Sequence, residues 1–334
     1  MAQRKRGAKV SSSKCHHSVS LDYGVLDLVF PPTGSDEFAV AASTGKVDLF
    51  ALDESSLEVS RKHSFTVCDE TILVLQLAWR PVSVGESTFK VAMALSDGRI
   101  AILSFSSDTY FVYFISSHSL EVWFVTWDNV DHDIIYSGGD DSCFCVSRDP
   151  VDVDPNMAEK VQDGIQETDM TKFVPFYRNA KIHGAGVTSI LHLAVSDHGD
   201  RFVMTGSYDE HLRILRQQEG RLTWEVVLVQ LLGGGIWRLK TLCGSTSIHE
   251  TIRAGWSRTI LASCMHAGPR IVQIQLSEQY TWSAKLLAIF AEHKSMNYAS
   301  DISKNHDPAR SEKTTIASSS FYDKKLCLWS TDSF

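Results

Sequence analysis

The chain has 334 residues, of which 43% are hydrophobic and 22% are charged, and its formal net charge is −8. It contains no run of the roughly 18 apolar residues that a membrane span requires and no concentrated basic stripe of the kind that binds phosphate backbones. We therefore expect neither a membrane nor nucleic acid as a partner. Seven cysteines, an odd number without framework spacing, suit a reducing compartment. The basic residues 1–6 lead into polar sequence rather than an apolar signal segment, so the expected localisation is cytoplasmic.

In chain order, six tight polar turns each separate two apolar runs of strand character. The turns are residues 42–46, 95–99, 137–141, 205–211, 263–268 and 320–325. Apolar residues alternate after the turns, as in Val47 and Leu49, and Gly and Asp within the turns supply the backbone angles of hairpins. A hairpin repeated every 40 to 70 residues or so is typical of a β-propeller. The sequence therefore predicts an all-β fold, a WD-repeat β-propeller with six blade-like units.

Three histidines recur at one place in this repeat. His118, His183 and His293 each stand four residues before the expected start of a blade's first strand, and each is followed by a turn aspartate, namely Asp141, Asp209 and Asp323. In WD-repeat propellers such a histidine and aspartate hydrogen-bond within one blade. The three pairs are predicted to be structural.

The expected domain organisation is a basic and polar tail over residues 1–20, followed by one propeller over residues 21–334. Residues 149–171 interrupt the repeat with seven acidic side chains and one lysine. This composition predicts a solvated acidic insertion between strands. It is either a surface loop or a docking arm for a basic partner.

Several catalytic and cofactor motifs are absent. There is no Gly-x-Ser-x-Gly elbow and no glycine-rich phosphate loop, since Gly233–Gly235 lacks a downstream lysine. Cys143 and Cys145 lack companions at zinc spacing, so they are interpreted as buried small residues. Neither a cofactor nor a metal is expected.

The blade over residues 233–276 departs from the repeat. It has Gly233-Gly-Gly-Ile-Trp237 in place of the histidine and His266 in place of the turn aspartate. Because broken local rules mark expected sites of function, we combine these residues with others on loops of the same propeller face: Asp140, Tyr208, Glu210, His211 and Tyr322. Such a set could supply a general base, an acid and oxyanion donors for ester hydrolysis. The alternatives are that His266 is a surface turn histidine, that Trp237 is a core residue, and that the protein only binds other proteins.

Five segments resemble one WD-repeat family, the eukaryotic diphthine methylesterases of diphthamide biosynthesis. They are residues 136–141, 205–211, 234–240, 262–268 and 320–329. The resemblance runs over about residues 120–334, and the first 110 residues match only as a blade-like pattern. It implies a propeller of seven blades, whereas six units are visible here. It also implies hydrolysis of the methyl ester of methylated diphthine on elongation factor 2, so that amidation can follow, without a cofactor or metal.

The expected function is therefore that of a carboxylic ester hydrolase that acts on a modified side chain of elongation factor 2. His266 or His211 is the candidate base, Asp140 or Glu210 the group that orients it, and the Gly234 and Gly235 amides or Trp237 position the ester. Tyr208 and Tyr322 are further candidate substrate-binding residues. Other proteins of the diphthamide pathway are expected as additional partners. The alternatives are a non-catalytic scaffold for elongation factor 2 modification and a WD-repeat adaptor unrelated to diphthamide.

Overall fold

A computed structural model of the chain describes residues 17–32, 34–81, 88–106, 109–149, 164–165, 175–243, 251–302 and 313–332. All regular secondary structure in these residues is β-strand, arranged in six sheets. Within these ranges no helix is long and apolar enough to span a membrane. The chain divides into two compact units, one of residues 15–192 with 220–223 and one that contains residues 193–219 and 224–334. We call them the first and the second unit.

The first unit holds three complete sheets. Sheet 1 consists of β1 (Val25–Val29), β2 (Glu37–Ala42), β3 (Lys46–Asp53) and β4 (Glu58–Thr66). Sheet 2 consists of β5 (Val74–Trp79), β6 (Phe89–Leu95), β7 (Arg99–Phe105) and β8 (Tyr110–Ser117), and the short β12 (Gly164–Ile165) pairs with β8 in parallel. Sheet 3 consists of β9 (Val122–Trp127), β10 (Ile134–Gly139), β11 (Phe144–Arg148) and β13 (Tyr177–Asn179).

The second unit holds most of sheet 4 and the whole of sheets 5 and 6. Sheet 4 consists of β14 (Val187–Ser196), β15 (Arg201–Ser207), β16 (His211–Gln217), β17 (Trp224–Leu231) and the short β19 (Thr251–Ile252), and the boundary between the units falls within β14. Sheet 5 consists of β18 (Arg238–Cys243), β20 (Ser257–Ser263), β21 (Pro269–Leu276) and β22 (Trp282–Ile289). Sheet 6 consists of β23 (Asn297–Ile302), β24 (Lys313–Ser320) and β25 (Lys325–Asp332).

Each of the six predicted turns joins the second and third strands of one sheet. The residue that reverses the chain has a positive φ angle, as at Gly98 (88°) and Glu210 (67°). A Cβ atom on Gly98 would lie 2.6 Å from the carbonyl oxygen of His118, so this tight turn requires glycine. Six sheets, each built around such a hairpin, confirm the predicted β-propeller of six blades. A seventh blade is not found within the described residues.

Apolar side chains of neighbouring sheets fill the interior of each unit. In the first unit, one buried cluster joins sheets 1 and 2, with Leu49, Met93 and Phe114 among its members. In the second unit, a smaller cluster includes Leu261, Ile271 and Trp329. Cys143 and Cys145 are buried, as predicted for small apolar residues.

The structure brings His118 and Asp141 together in sheet 3. His118 Nδ1 lies 2.9 Å from Asp141 Oδ1, and His118 Nε2 lies 2.9 Å from Ser137 Oγ. The Asp141 carboxylate also accepts hydrogen bonds from the backbone N–H groups of Ser119 and Cys143. Burial by itself would raise the pKa of Asp141, but the hydrogen bonds from His118 and the two N–H groups hold it well below its usual range. Because its negative charge ties β9 to the β10–β11 turn, Asp141 has a structural role.

His293 and Asp323 are not directly bonded, which corrects the predicted contact. His293 Nδ1 lies 2.8 Å from Ser320 Oγ and Nε2 lies 2.7 Å from Ser318 Oγ. The Ser320 hydroxyl in turn donates a hydrogen bond to Asp323. The serine hydroxyl is therefore interposed between the two residues. His183 and Asp209 belong to different units, and their pairing stays a prediction.

Asp149, the first residue of the predicted acidic insertion, is fully buried rather than solvated. Its carboxylate lies 2.8 Å from Lys90 Nζ and accepts a hydrogen bond of 2.8 Å from Tyr113 OH. A buried carboxylate needs such partners, because desolvation of an unpaired charge is costly. Residues 150–163 and 166–171 of the insertion lie outside the described residues.

The substitution Asp141→Ala should lower the free energy of unfolding by about 2 to 3 kcal/mol, because it leaves the buried His118 ring and the N–H group of the buried Cys143 without their acceptor. The change is measured as the shift of the urea unfolding midpoint. Asp97→Ala is the matched control, since Asp97 occupies the same turn position in sheet 2 but forms a partly exposed pair with Arg99. The control should cost under about 1 kcal/mol, and equal shifts for both variants would contradict the structural role of Asp141.

Stability should fall on mild acidification because of His293. Burial lowers the pKa of His293 below its usual value, so the unfolded chain binds this proton at a higher pH than the folded chain does. The stabilisation by neutral His293 is complete above its pKa in the unfolded chain, about 6.5. It is lost as the pH falls through the lower pKa of His293 in the folded chain. Denaturant unfolding between pH 7.5 and 5 measures the effect. His293→Gln should flatten the dependence on pH, and parallel curves for the two proteins would refute this assignment.

Candidate functional site

Five loop segments of the second unit lie side by side and carry most of the predicted site residues. They are the β15–β16 turn (208–210), the segment before β18 (233–237), the β20–β21 turn (264–268), the segment before β23 (293–296) and the β24–β25 turn (321–324). Backbone hydrogen bonds connect them in series: Ile236 N to Ser207 O (3.0 Å), Trp237 N to Ser263 O (2.8 Å), Asn297 N to Met265 O (3.0 Å) and Phe321 N to Met296 O (3.0 Å). We call these segments the site loops. Tyr208, Glu210, Gly234, Gly235, Trp237, His266 and Tyr322 lie in them, and His211 directly follows the first.

Gly234 and Gly235 lie where the site loops approach one another most closely. A Cβ atom on Gly234 would lie 2.6 Å from the Cβ of Ala267 and 2.6 Å from the carbonyl oxygen of Cys264. A Cβ atom on Gly235 would lie 2.8 Å from the sulfur of Met265. Real Cβ atoms do not approach other atoms so closely, so the position of Gly234 requires glycine, whereas a side chain at Gly235 would displace the flexible Met265 side chain. The glycine segment is therefore packed directly against the turn that carries His266.

The N–H groups of these two glycines have no hydrogen-bond acceptor among the described residues, although both residues are buried. Buried backbone N–H groups are paired in the great majority of cases. Their neighbours follow this rule, because the N–H groups of Ile236 and Trp237 both reach backbone carbonyls. Gly234 and Gly235 therefore have two donors available for a bound anionic or carbonyl oxygen.

Aromatic rings form a row across the site loops. Ring centroids are 5.9 Å apart for Tyr208 and Trp237, 5.1 Å for Trp237 and Tyr298, 6.0 Å for Tyr298 and Phe321, and 5.1 Å for Phe321 and Tyr322. Phe321 is 65% exposed and Tyr322 is 71% exposed, while Trp237 and Tyr298 are half-buried. We call these five residues the aromatic row. One end is anchored by packing and the other is open to solvent.

His266 is exposed in the β20–β21 turn, and its side chain has no hydrogen-bond partner among the described residues. Two tight backbone bonds, Ala267 N to Cys264 O (2.8 Å) and Gly268 N to Met265 O (3.1 Å), define the turn around it. The ring is thus carried on a well-formed turn and is open to solvent. No carboxylate of the described residues contacts the His266 ring.

His211 is partly exposed and held from one side. Its Nδ1 lies 2.6 Å from the carbonyl oxygen of Asp209, which leaves Nε2 directed away from that contact. The Asp209 carboxylate is itself bound by Arg213, at 2.9 and 2.8 Å. Glu210, predicted to orient the base, has the left-handed backbone conformation of the turn (φ 67°) and bonds through its main chain to Ser207 and Leu232.

Asp140 belongs to the first unit, where its carboxylate accepts a hydrogen bond of 3.0 Å from Trp123 Nε1. The predicted role of Asp140 as a partner of the catalytic histidine therefore stays a prediction.

Sequence reasoning missed Tyr298 and Phe321 as members of the aromatic row. A signal for Tyr298 exists, because Trp237 and Tyr298 both lie within one residue of the start of the first strand of their sheet. Phe321 precedes Tyr322 in the turn motif and is highly exposed for an aromatic residue.

The six hairpin-centred sheets and the site loops at their turns define the class of the protein, a WD-repeat type of β-propeller. Among solved structures, a chain of the crystal structure of the mitotic checkpoint complex superposes with a TM-score of 0.60 over 96% of this chain and 81% of that chain. At 15% sequence identity this likeness concerns the fold alone. No family model matches the chain.

Curated relatives are similar to the chain over most of its length. The chain is 26% identical over 305 residues to diphthine methyltransferase of Schizosaccharomyces pombe. The aligned region covers 91% of this chain and 78% of the relative. It is 27% identical over 317 residues to the diphthine methyltransferase homolog of Dictyostelium discoideum, with coverage of 93% and 77%. Diphthine methyltransferase of Homo sapiens is 25% identical over 83% of this chain, which spans 55% of the human protein. These matches confirm the resemblance of the chain to the diphthine methyltransferases.

Proposed function

We propose that the protein acts in diphthamide biosynthesis and hydrolyses the methyl ester of methylated diphthine on elongation factor 2, without a cofactor. The relatives' names support a methyl-modifying role in this pathway. The family resemblance of the site-loop motifs supports ester hydrolysis and elongation factor 2 as the substrate. The observation that carries the proposal is the pair of buried, unbonded N–H groups of Gly234 and Gly235 beside the His266 turn.

In the proposed reaction, His266 removes a proton from water as the water oxygen adds to the ester carbonyl carbon. The carbonyl electron pair moves to the carbonyl oxygen, and the N–H groups of Gly234 and Gly235 stabilise the resulting oxyanion. Collapse of this intermediate expels methoxide, which takes a proton from the histidine and leaves as methanol. Collapse leaves a carboxylic acid, which releases its proton to water, so the final products at neutral pH are a carboxylate and methanol. His211 is the second candidate for the base, since its Nε2 is not used by the contact to Asp209.

The aromatic row supports a protein as the substrate. Its exposed end, Phe321 and Tyr322, is larger than one small ester needs, and exposed aromatic side chains are enriched at protein interfaces. Lys324 and Leu326 border a groove beside Tyr298 and Phe321. A folded protein that presents a modified side chain could rest on this surface while the ester reaches the glycine segment.

The reaction is tested by incubating the purified chain with methyl-esterified diphthine on elongation factor 2. We expect mass spectrometry to show loss of one methyl group from the protein substrate, together with release of methanol. A transferase would instead add a methyl group when a methyl donor is supplied. An intact ester together with tight binding of elongation factor 2 would favour the non-catalytic scaffold.

His266→Gln should slow hydrolysis by a factor on the order of 10² to 10⁴, the usual contribution of positioned proton transfer. The thermal midpoint should stay near that of the wild type, because a surface turn tolerates the change. His211→Gln tests the second candidate in parallel, and His198→Gln, an exposed turn histidine of the same unit, should be fully active. If neither candidate variant loses activity, the histidine mechanism is wrong.

Replacement of Phe321 and Tyr322 by alanine should raise KM for the protein substrate on the order of tenfold and leave kcat unchanged, because the contact is remote from the reacting ester. Tyr280→Ala is the matched control. Tyr280 is 67% exposed in the same unit but lies in the β21–β22 turn, at the far end of β21 from His266. The same rise in KM for the control would remove the argument for a specific surface.

A further inference from the structure

Arg270 places a positive charge against the glycine segment. It is the second residue of β21 and pairs with Ala262 on one side and Ile289 on the other. A Cβ atom on Gly233 would lie 3.6 Å from Arg270 Nη2. The guanidinium therefore lies beside the first glycine of the segment whose next two N–H groups lack acceptors.

This guanidinium is not neutralised. Within the described parts of the chain no carboxylate pairs with Arg270, and its Nε is buried without a hydrogen-bond partner. Two other arginines of the same unit are paired with carboxylates: Arg213 lies 2.8 Å from Asp209, and Arg216 lies 2.9 Å from Asp200. Burial of an N–H donor of a charged group costs folding free energy unless an acceptor binds it.

The thiol of Cys264 is near Arg270 but does not supply that acceptor charge. Burial raises the pKa of Cys264 to about 12, even though the positive charge of Arg270 and a hydrogen bond between the Arg270 and Cys264 side chains act in the opposite direction. The thiol therefore stays protonated at neutral pH, and it donates a weak hydrogen bond to the carbonyl oxygen of Ala262 at 3.7 Å. The backbone of Cys264 also contacts Gly234. The guanidinium, the glycine segment and the β20–β21 turn therefore lie next to one another.

We infer that Arg270 and the N–H groups of Gly234 and Gly235 form an anion subsite that binds a carboxylate. A planar guanidinium and adjacent backbone N–H groups match the two oxygens of a carboxylate. In the proposed reaction this anion is the newly formed carboxylate, and its precursor is the tetrahedral oxyanion. This identification rests on the proposed function. Arg270 would then be a substrate-binding residue of the reaction, one that neither the turn motifs nor the repeat pattern indicates.

Acetate serves as the probe in a test that does not depend on activity. Saturation-transfer NMR on the methyl protons of acetate should give a signal with the wild type that falls at least fivefold with Arg270→Gln. Arg253→Gln, which changes an exposed arginine of the same unit, should retain it, and circular dichroism verifies that each variant is folded. If the wild type gives no signal, or if folded Arg270→Gln keeps the full signal, the anion subsite is wrong.

The hydrolysis assay separates this inference from the proposed function. Arg270→Gln should lose hydrolysis by a factor on the order of 10², as expected when one oxyanion donor is removed. Arg270→Lys should retain more activity than Arg270→Gln, because it keeps the charge but not the planar fork. A wild-type protein that binds acetate and hydrolyses nothing overturns the proposed function and leaves the subsite in place. An active wild type with a fully active Arg270→Gln variant overturns the role of Arg270.

Discussion

The candidate site depends on the absence of two side chains, at Gly234 and Gly235. A Cβ atom at Gly235 would displace the Met265 side chain, and a Cβ atom at Gly234 would overlap Ala267 and the backbone of Cys264, so the β20–β21 turn would have to move away from the segment before β18. That displacement would break the hydrogen bond from Trp237 N to Ser263 O, which sets the first residue before β18 against the end of β20. Close backbone approach is the usual structural reason for glycine. Here the same approach also places two unbonded N–H groups next to His266 and Arg270.

The histidines of the chain divide into two kinds by their contacts. His118 and His293 each have hydrogen-bond partners at both ring nitrogens, so neither has a nitrogen available for a substrate or water. They hold the start of a sheet to the hairpin of the same sheet. His266 and His211 are more exposed, and each has at least one nitrogen directed away from the contacts described above. Base chemistry therefore has two candidates in the second unit.

Charge pairing distinguishes structural arginines from Arg270 in a similar way. Asp209, the predicted partner of His183, is bound in bidentate fashion by Arg213 of its own sheet. Among the described residues Arg270 has no such carboxylate, and the Cys264 thiol beside it is kept protonated by burial. An unneutralised cation beside two free donors is suited to an anion that arrives with the substrate or is made from it.

The positions of the strands and hairpins can be predicted from the sequence. Alternating apolar residues on either side of Gly and Asp turns placed all six hairpins, and the histidine spacing located the starts of β9, β14 and β23 at Val122, Val187 and Asn297. These features are local, because strand alternation and turn angles depend on near neighbours in the chain. The break in the repeat at residues 233–237 and His266 also pointed to the segments that the fold packs together.

Other contacts arise only in the folded protein. The interposition of Ser320 between His293 and Asp323, the burial of Asp149 by Lys90 and Tyr113, and the position of Arg270 beside Gly233 join residues that are paired across strands or come from different sheets. Such contacts depend on how the strands are registered and packed, and no local pattern in the chain encodes those distances.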